Sequence, residues 1–525
     1  MSNKTKNFVK GAAVLGIIGL VVKVIGAVFR IPLANIIDTQ GMANYSIVYP
    51  TYALLLVISS AGMPVAIAKM VSERRAVDDY AGAKQVFTTS LKLLLVLGVF
   101  TTALLFAISG VLAKAQGMPE ASVTYMAIAP ALFFVAIISA YRGYFQGMQM
   151  MSPTGFSQLV EQLGKLFVGL WLAKRLLPLG PQYGAMGALI GVSVSEVLAL
   201  GLLLIIYYTK KPNFDLEIAQ TNPSIPTIRQ RALLKELLII AIPIMIGACV
   251  MPIVMWIDSV IVVRGLENIG FAHEAAADKF ALLSGYVNSL INMPAVLSLA
   301  LAMSLVPAIS SYKKKGETEK LREQSGMGLK IALLVGLPAA MGYILLAKPI
   351  IHLLYHNLEG QKLDETAILL IIMSAGVIVL TLLQTMTGIL QGVGKVQVPV
   401  INLAIGAVVK VVISLLLIRI PEINVKGAAL GTVACYSVAA ILDVIAVIRH
   451  TGMRIDWLNQ IIKPVGCSVV MGVVVYFLYP FLFGITTSNT VSALAAILAG
   501  VVVYGGALLL TKTVTKQEMA AIRGK

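Results

Sequence analysis

The chain has 525 residues, 58% hydrophobic and only 12% charged, with a formal net charge of +17 and a mean hydropathy of +0.90. Soluble domains carry about 45–50% apolar and about 25% charged residues, because a compact soluble domain needs a polar surface to meet water. The composition excludes an ordinary soluble enzyme, a disordered chain and a disulfide scaffold, and predicts an all-α polytopic membrane protein.

Apolar runs of about 20 residues, the length that crosses about 30 Å of hydrocarbon, recur from end to end. They predict about 14 transmembrane helices, at 9–36, 45–70, 86–112, 122–146, 155–178, 185–208, 233–262, 279–310, 329–355, 366–390, 397–419, 425–448, 460–484 and 489–511. The runs are too long for barrel strands and lack their period of two, which excludes a β-barrel. The first run is too long for a signal peptide and is read as a retained span. With the N-terminus inside, 26 Lys and Arg fall in the tails and loops of that side, 8 fall on the other, and 7 lie within spans. The positive-inside rule then places both termini in the cytoplasm. The net charge is thereby explained as topology, with no nucleic-acid partner. Arg142 counts here as a loop residue.

Two inner segments stand out. The polar, basic stretch 209–235, with Pro212, Pro223 and Pro226, is the longest break and follows the sixth span. The stretch 311–326 (SYKKKGETEKLREQSG) is predicted to be a basic surface helix against anionic lipid.

An internal repeat organises the spans. Gly143-Tyr-Phe-Gln-Gly147 recurs as Gly388-Ile-Leu-Gln-Gly392, and Lys165 falls on Lys410 at the same offset of 245; Gly187-Ala-Leu-Ile-Gly191 recurs as Gly427-Ala-Ala-Leu-Gly431 at 240. The end of the second span (VAIAKMVSERR) also matches the end of the eighth (VPAISSYKKK). This predicts two parallel six-helix lobes, 1–210 and 233–450, joined by a cytoplasmic linker at 211–232, with two extra C-terminal helices and a cytoplasmic tail in 451–525. Parallel repeats of this kind are a transporter signature, with the site near the bilayer midplane.

Ionisable residues inside spans cost about 2.5–3.5 kcal/mol on insertion scales and usually face a cavity or a partner. Lys23 and Arg30 lie two turns apart on one face of the first span, with Gly26 between them, and no acidic residue accompanies them deep in that span. They are the leading candidates for a cavity anion site. Glu161 and Lys165 are spaced for an intrahelical ion pair. Lys410, with no acidic residue in its span, is a second-rank cation. Asp258 in the seventh span either faces Lys23 or Arg30 or sits solvated near the outer surface. Glu196 and Asp443 either neutralise neighbouring helices or carry a coupling ion. Two polar stripes, Tyr45, Tyr49 and Tyr52 in the second span and Ser284, Asn288 and Asn292 in the eighth, suit sugar hydroxyls and amides as well as plain interhelix hydrogen bonds. Tyr45 is expected at the membrane interface. Cys249, Cys435 and Cys467 lie in apolar runs without metal or redox spacing. His352 and His356 lack the Glu of an H-E-x-x-H frame, so no metal site is read there. With neither a catalytic constellation nor an ATP-binding loop in the sequence, the driving force is assigned to a Na+ or H+ gradient, the membrane potential or the substrate's own gradient.

At this point the sequence resembles a known family. The stretch KVIGAVFRIPLANIIDTQGMANYSIVYPTY, followed by AGMPVAIAKMVSER, and the segment RGYFQGMQMMSPTGFSQLVEQ are similar to the polysaccharide-transporter branch of the MOP exporter superfamily, which includes stage V sporulation protein B and MurJ-type lipid II flippases. The resemblance covers essentially the whole chain. It implies a MATE/MurJ-like fold and a flippase of the bacterial cytoplasmic membrane. The expected substrate is an undecaprenyl-pyrophosphate-linked cell-wall precursor, lipid II-like or an oligosaccharide, carried by alternating access in peptidoglycan biosynthesis or sporulation. It further implies no cofactor, membrane lipids and a polyprenyl-pyrophosphate-linked saccharide as partners, and a monomer. By position it gives Lys23 and Arg30 the role of cavity cations holding the pyrophosphate, and gives the last two helices a groove for the polyprenyl tail. Two alternatives stand beside it: a multidrug or cation antiporter of the same superfamily, and a membrane-embedded glycan-lipid transferase.

Overall fold

The computed structural model describes residues 3–221 and 229–513. All regular structure among them is helical. In hydrocarbon every backbone N–H and C=O must be satisfied internally, and a helix does this within one segment. The chain divides into two compact units. The first comprises the chain through Arg264 together with His273–Ala281; the second comprises Gly265–Ala272 and everything from Leu282 onward.

The helices of the first unit are α1 (Asn3–Ser60), α2 (Met63–Ala76), α3 (Tyr80–Ala115), α4 (Ser122–Gly147), α5 (Ser152–Gly164), α6 (Leu170–Leu176), α7 (Pro181–Ala219), most of α8 (Gln230–Asn268) and α9 (His273–Ala281). The second unit holds α10 (Asn288–Lys315), α11 (Thr318–Leu345), α12 (Ala347–Leu354), α13 (Gly360–Gly392), α14 (Gln397–Ile418), α15 (Lys426–Thr451), α16 (Lys463–Thr486) and α17 (Asn489–Leu510).

Among the described residues, 12 helices are long and apolar enough to cross a membrane, against the 14 expected. One reason is that Ile18–Ala76 counts as a single stretch of 59 residues. A straight helix of that length would measure about 88 Å, nearly three hydrocarbon thicknesses. It is not straight: α1 is two helical arms meeting at Asp38, where φ is 56° and ψ is −174°. The Asp38 carboxylate accepts the Thr39 N–H at 2.7 Å at the start of the second arm. A further break follows at Gly62, whose φ of +80° and close approach to the Ala241 carbonyl both require glycine. The other reason is that the stretch expected to span at 155–178 falls short of the apolarity of the 12, since Gln158, Glu161, Gln162 and Lys165 interrupt its apolar run. It is α5, then a five-residue π-helical stretch Lys165–Gly169, then α6.

Two sequence expectations are corrected. Most of the break expected at 209–235 is helix, since α7 runs to Ala219 and α8 starts at Gln230. Residues 222–228, with Pro223 and Pro226 of the expected linker, lie outside the described residues. The polar composition marks where α7 leaves hydrocarbon, not where it ends. Its extension is held by Arg75, which donates two hydrogen bonds to Glu217 at 2.6 and 3.2 Å, and by Lys84, paired with Asp215 at 3.1 Å. The side-chain hydrogen bond from Arg75 to Glu217 also keeps the guanidinium protonated even more firmly than usual. The basic helix expected at 311–326 is a helix–turn–helix: Gly316, with φ +69°, ends α10, and α11 begins at Thr318.

The repeat is a repeat of packing. Without a hydrophobic drive between helices in lipid, small residues that let backbones approach closely carry the association. A Cβ on Gly143 or Gly147 would strike α2 at Pro64 and Ile67, or at Val71; one on Gly388 or Gly392 would strike α10 at Ala302 or Ile309. A Cβ on Gly187 would meet Leu172, and one on Gly191 would meet Gly169; the matching Gly427 and Gly431 meet Leu417 and Ser414. These partners, 172 with 417 and 169 with 414, are again 245 residues apart. In the second unit α16 and α17 pack on each other and on α11. Tyr504 donates to the Leu334 carbonyl at 3.0 Å and Asn489 to the Pro349 carbonyl at 3.1 Å. Tyr476, Phe477, Phe481, Leu498 and Val502 point outward, giving this pair an apolar exposed face.

This packing makes a direct prediction. Gly191→Ala places a methyl against the Gly169 backbone and is expected to cost about 1–3 kcal/mol of stability, as overpacking does. Gly505→Ala, which meets nothing within 4 Å, is expected to be neutral. Thermal unfolding of the detergent-solubilised protein checks this; equal melting temperatures for the two variants would contradict it.

Candidate functional site

The second arm of α1 presents its three tyrosines in a column. Tyr45 and Tyr49 stack with ring centroids 6.0 Å apart, and Tyr49 and Tyr52 lie 6.1 Å apart at 57°. Tyr45 is only 3% exposed, so it is a buried residue and not the interfacial aromatic expected. The reason is that this arm packs against α4, where the Tyr125 hydroxyl bonds Thr51 and the Ile47 carbonyl, and against the start of α7, where Gly41 meets Pro181. Arg30, from the first arm, lays its guanidinium over the Tyr49 ring at 5.1 Å. The negative face of the ring partly replaces the water the cation has left.

Beside this column lies a charge cluster built by three elements. Glu161 on α5 accepts from Lys165 at 2.9 Å through one oxygen and from Arg142 on α4 at 3.1 Å through the other. Arg142 also donates through Nε to the Ser157 hydroxyl at 2.9 Å. All three charged side chains are largely buried. Lys165 stands at the first residue of the π-helical stretch, a feature often found at functional sites. Two glycines bring the elements together. Gly26 on α1 packs against the amide of Gln162, and Gly164 lets α5 close on Ser195 of α7. Next to Ser195 is Glu196, 2% exposed, whose Oε2 takes no hydrogen bond among the described residues. It lies in the field of Glu161, Lys165, Arg142 and Tyr52.

The structure thus gathers Arg30, Tyr49, Tyr52, Glu161 and Lys165 of the sequence candidates into one region of the first unit. Lys23 projects from the same arm as Arg30 but is exposed, and among the described residues it has no ion-pair or hydrogen-bond partner. Asp258 on α8 is buried, which removes the solvated alternative; its neighbour Ser259 accepts a hydrogen bond from the Gln116 amide at 2.7 Å. Ser284, Asn288, Asn292 and Lys410 belong to the second unit. Ser284 sits in a π-helical stretch, Leu282–Val287, and Asn292 spends its amide on the Asn288 carbonyl at 2.7 Å. Lys410 is fully buried on α14.

Sequence reasoning missed Arg142, counted as a loop charge although α4 extends through it to Gly147. A signal was present. Arg142 immediately precedes the repeated Gly-x-x-Gln-Gly, where the second copy has Thr387. Thr387 donates to Asp443 at 3.0 Å and Asn402 donates to its other oxygen at 2.7 Å. Positions 142 and 387, like 157 and 402, are 245 apart. In the second unit both positions donate to one buried carboxylate, whereas in the first Arg142 donates to Glu161 and to Ser157.

Comparison with known proteins places this architecture. The family model described as "Polysaccharide biosynthesis protein" matches residues 8–313, more than half of the chain. The chain belongs to that family. A second model, MatE, matches residues 283–416. The lipid II flippase MurJ of Bacillus subtilis is 27% identical, over 97% of this chain and 95% of its own. Stage V sporulation protein B of the same organism is 24% identical, over 98% of each. A solved structure of the lipid II flippase MurJ, in an inward closed conformation, superposes with a TM-score of 0.69 at 14% identity, covering 95% of this chain and 98% of that one. The resemblance to polysaccharide and lipid II flippases of the MOP superfamily holds, as does the MATE/MurJ-like fold. The chain is a multi-pass membrane transporter of the flippase kind, not an enzyme.

Removing one partner of a buried ion pair strands the other charge and typically costs about 3–5 kcal/mol. Arg142→Met and Glu161→Gln are therefore each expected to destabilise the protein, and the double variant by less than the sum. A double-mutant cycle on thermal unfolding should give a coupling of at least about 1 kcal/mol; additivity within about 0.3 kcal/mol would contradict the pairing.

Proposed function

We propose that this transporter flips a polyprenyl-pyrophosphate-linked saccharide, a lipid II-like cell-wall precursor, across the bacterial cytoplasmic membrane by alternating access. The observation that carries the reading is the arginine held over Tyr49, beside a charge cluster that includes Lys165, in a chain aligned almost end to end with a named lipid II flippase. A pyrophosphate in a low-dielectric surrounding needs fixed cations, because a bare charge there is strongly destabilised. In this reading Lys23 and Arg30 hold the diphosphate. Lys23 is suited to the role by its exposure and by having no hydrogen-bond or ion-pair partner among the described residues. Tyr49 and Tyr52 face the sugar. Asp258 is proposed as a further polar contact in the first unit, and Ser284, Asn288, Asn292 and Lys410 as candidate polar residues of the second unit. The apolar outer face of α16 and α17 takes the polyprenyl tail, so only the headgroup needs shelter from lipid.

The same reading has two lobes, 1–210 and 233–450, with both termini in the cytoplasm, and a monomer driven by an ion gradient or the membrane potential. The membrane potential alone is worth about 2.3 kcal/mol per charge per 100 mV, and its inside-negative sign favours outward movement of an anionic headgroup. The MatE match over 283–416 and the buried Glu196 and Asp443 favour a second reading, a cation antiporter. The two differ in what the cations do. A diphosphate carrier needs Lys23 and Arg30; a cation antiporter works against them.

Replacing both Lys23 and Arg30 by Ala is expected to abolish rescue of a bacterium depleted of its lipid II flippase, with lipid II no longer accessible at the outer surface. Immunoblotting of the membrane fraction confirms insertion. A double variant that inserts and still restores externally accessible lipid II would overturn the assignment.

A further inference from the structure

The cluster around Glu161 has an unused member. Arg142 and Lys165 supply two positive charges and Glu161 one negative; Glu161 is paired through both oxygens. Glu196 is the fourth charge. It is 2% exposed, and its Oε2 takes no hydrogen bond among the described residues. The groups within its electrostatic reach are Tyr52 from α1, Arg142 from α4, Glu161 from α5 and Lys165 from the π-helical stretch, which the Gly164–Ser195 contact brings against α7. A structural carboxylate at this depth would be expected to hold its own donors, as Asp443 does with Thr387 and Asn402 in the matching unit. Glu196 instead balances the cluster at a distance. With Glu196 ionised the four charges sum to zero; with Glu196 protonated they sum to +1.

We propose that Glu196 carries a proton whose uptake accompanies binding of the anionic headgroup, so that the cluster becomes net positive only when a diphosphate is there to use the charge. The inference rests on the reading of the substrate as a polyprenyl pyrophosphate. The anion and the ionised carboxylate compete for the same two cations, Lys165 and Arg142. In a desolvated region that competition is not screened by water. When the diphosphate enters beside Arg30 and draws on the field of Lys165, an ionised Glu196 loses its compensation, and a proton replaces it. Linkage is reciprocal: if the anion favours the proton, the proton favours the anion to the same degree. In the ligand-free protein the neutral sum makes the cluster a weak trap for other anions, and the isosteric Glu196→Gln removes that restraint.

The test is calorimetric binding of farnesyl pyrophosphate to the full chain in nanodiscs, in pairs of buffers with different ionisation enthalpies, for wild type and Glu196→Gln. The ligand's own ionisation contributes equally to both proteins, so their difference reports Glu196. Wild type is expected to take up about one proton more than the variant on binding, and its affinity to fall relative to the variant by up to about tenfold per pH unit as pH rises. Glu196→Gln is expected to bind at least as tightly as wild type and with the flatter pH profile. Binding by both proteins with equal proton uptake and parallel pH profiles would overturn the proton-carrying role while leaving the substrate reading intact. Failure of folded wild type to bind the pyrophosphate at all would overturn both. Matching thermal unfolding of the two proteins shows that the comparison is between folded states.

Discussion

A charge taken out of water must be compensated, and in this chain that constraint shapes everything near the first-unit site. Glu161 is the pivot. One oxygen holds Lys165 of its own helix and the other reaches Arg142 on α4, so one carboxylate fixes two helices and orients two cations. Replacing a well-made buried ion pair by apolar residues is often neutral for stability, whereas breaking it is not. The cluster therefore makes most sense as a device that keeps cations at depth than as a source of folding energy. The tyrosine column does related work for Arg30, which rests on the Tyr49 ring and pairs with no carboxylate among the described residues.

The glycines supply the other half of the arrangement. Gly26, Gly164 and Gly187 allow α1, α5, α6 and α7 to approach one another closely. The same approach is made in the second unit through Gly388, Gly392, Gly427 and Gly431, but there the buried carboxylate Asp443 meets a threonine and an asparagine. The repeat thus preserves the packing and lets the chemistry diverge. One copy concentrates fixed charge, while in the other Asp443 accepts from Thr387 and Asn402 and Lys410 is buried on α14.

Much of the fold was legible in the sequence because the bilayer simplifies the problem: length and hydropathy of a run nearly determine whether it spans. The errors fall where that rule is silent. Hydropathy places a break at 37–44, where Asp38 turns the chain, but it cannot see that a π-helical stretch lies within the fifth span at Lys165. Nor can it separate a polar loop from a helix that continues into water, which is how the end of α7, held by Arg75 and Glu217, was read as a break. The site was partly legible. The Glu161–Lys165 spacing gave the pair, and the lone cations pointed to Lys23 and Arg30, of which Arg30 lies over Tyr49 and Lys23 is exposed on the same arm. Arg142 was hidden because a charge near a span end reads as topology, and only the chain fold reveals that it points back to Ser157 and Glu161. The place of Glu196 beside them depends on the α5–α7 crossing at Gly164 and Ser195, which no local pattern encodes.

The central claim is that this family member moves a lipid-linked diphosphate between leaflets. Reconstitution tests it most directly: purified protein in liposomes containing fluorescent lipid II, with a membrane-impermeant quencher added outside and an inside-negative potential imposed. The account predicts protein-dependent movement of the lipid from the protected to the accessible leaflet, with no such movement of the neutral polyprenol-linked analogue. Folded, reconstituted protein that leaves lipid II in its original leaflet, or that moves the neutral analogue equally well, would contradict it.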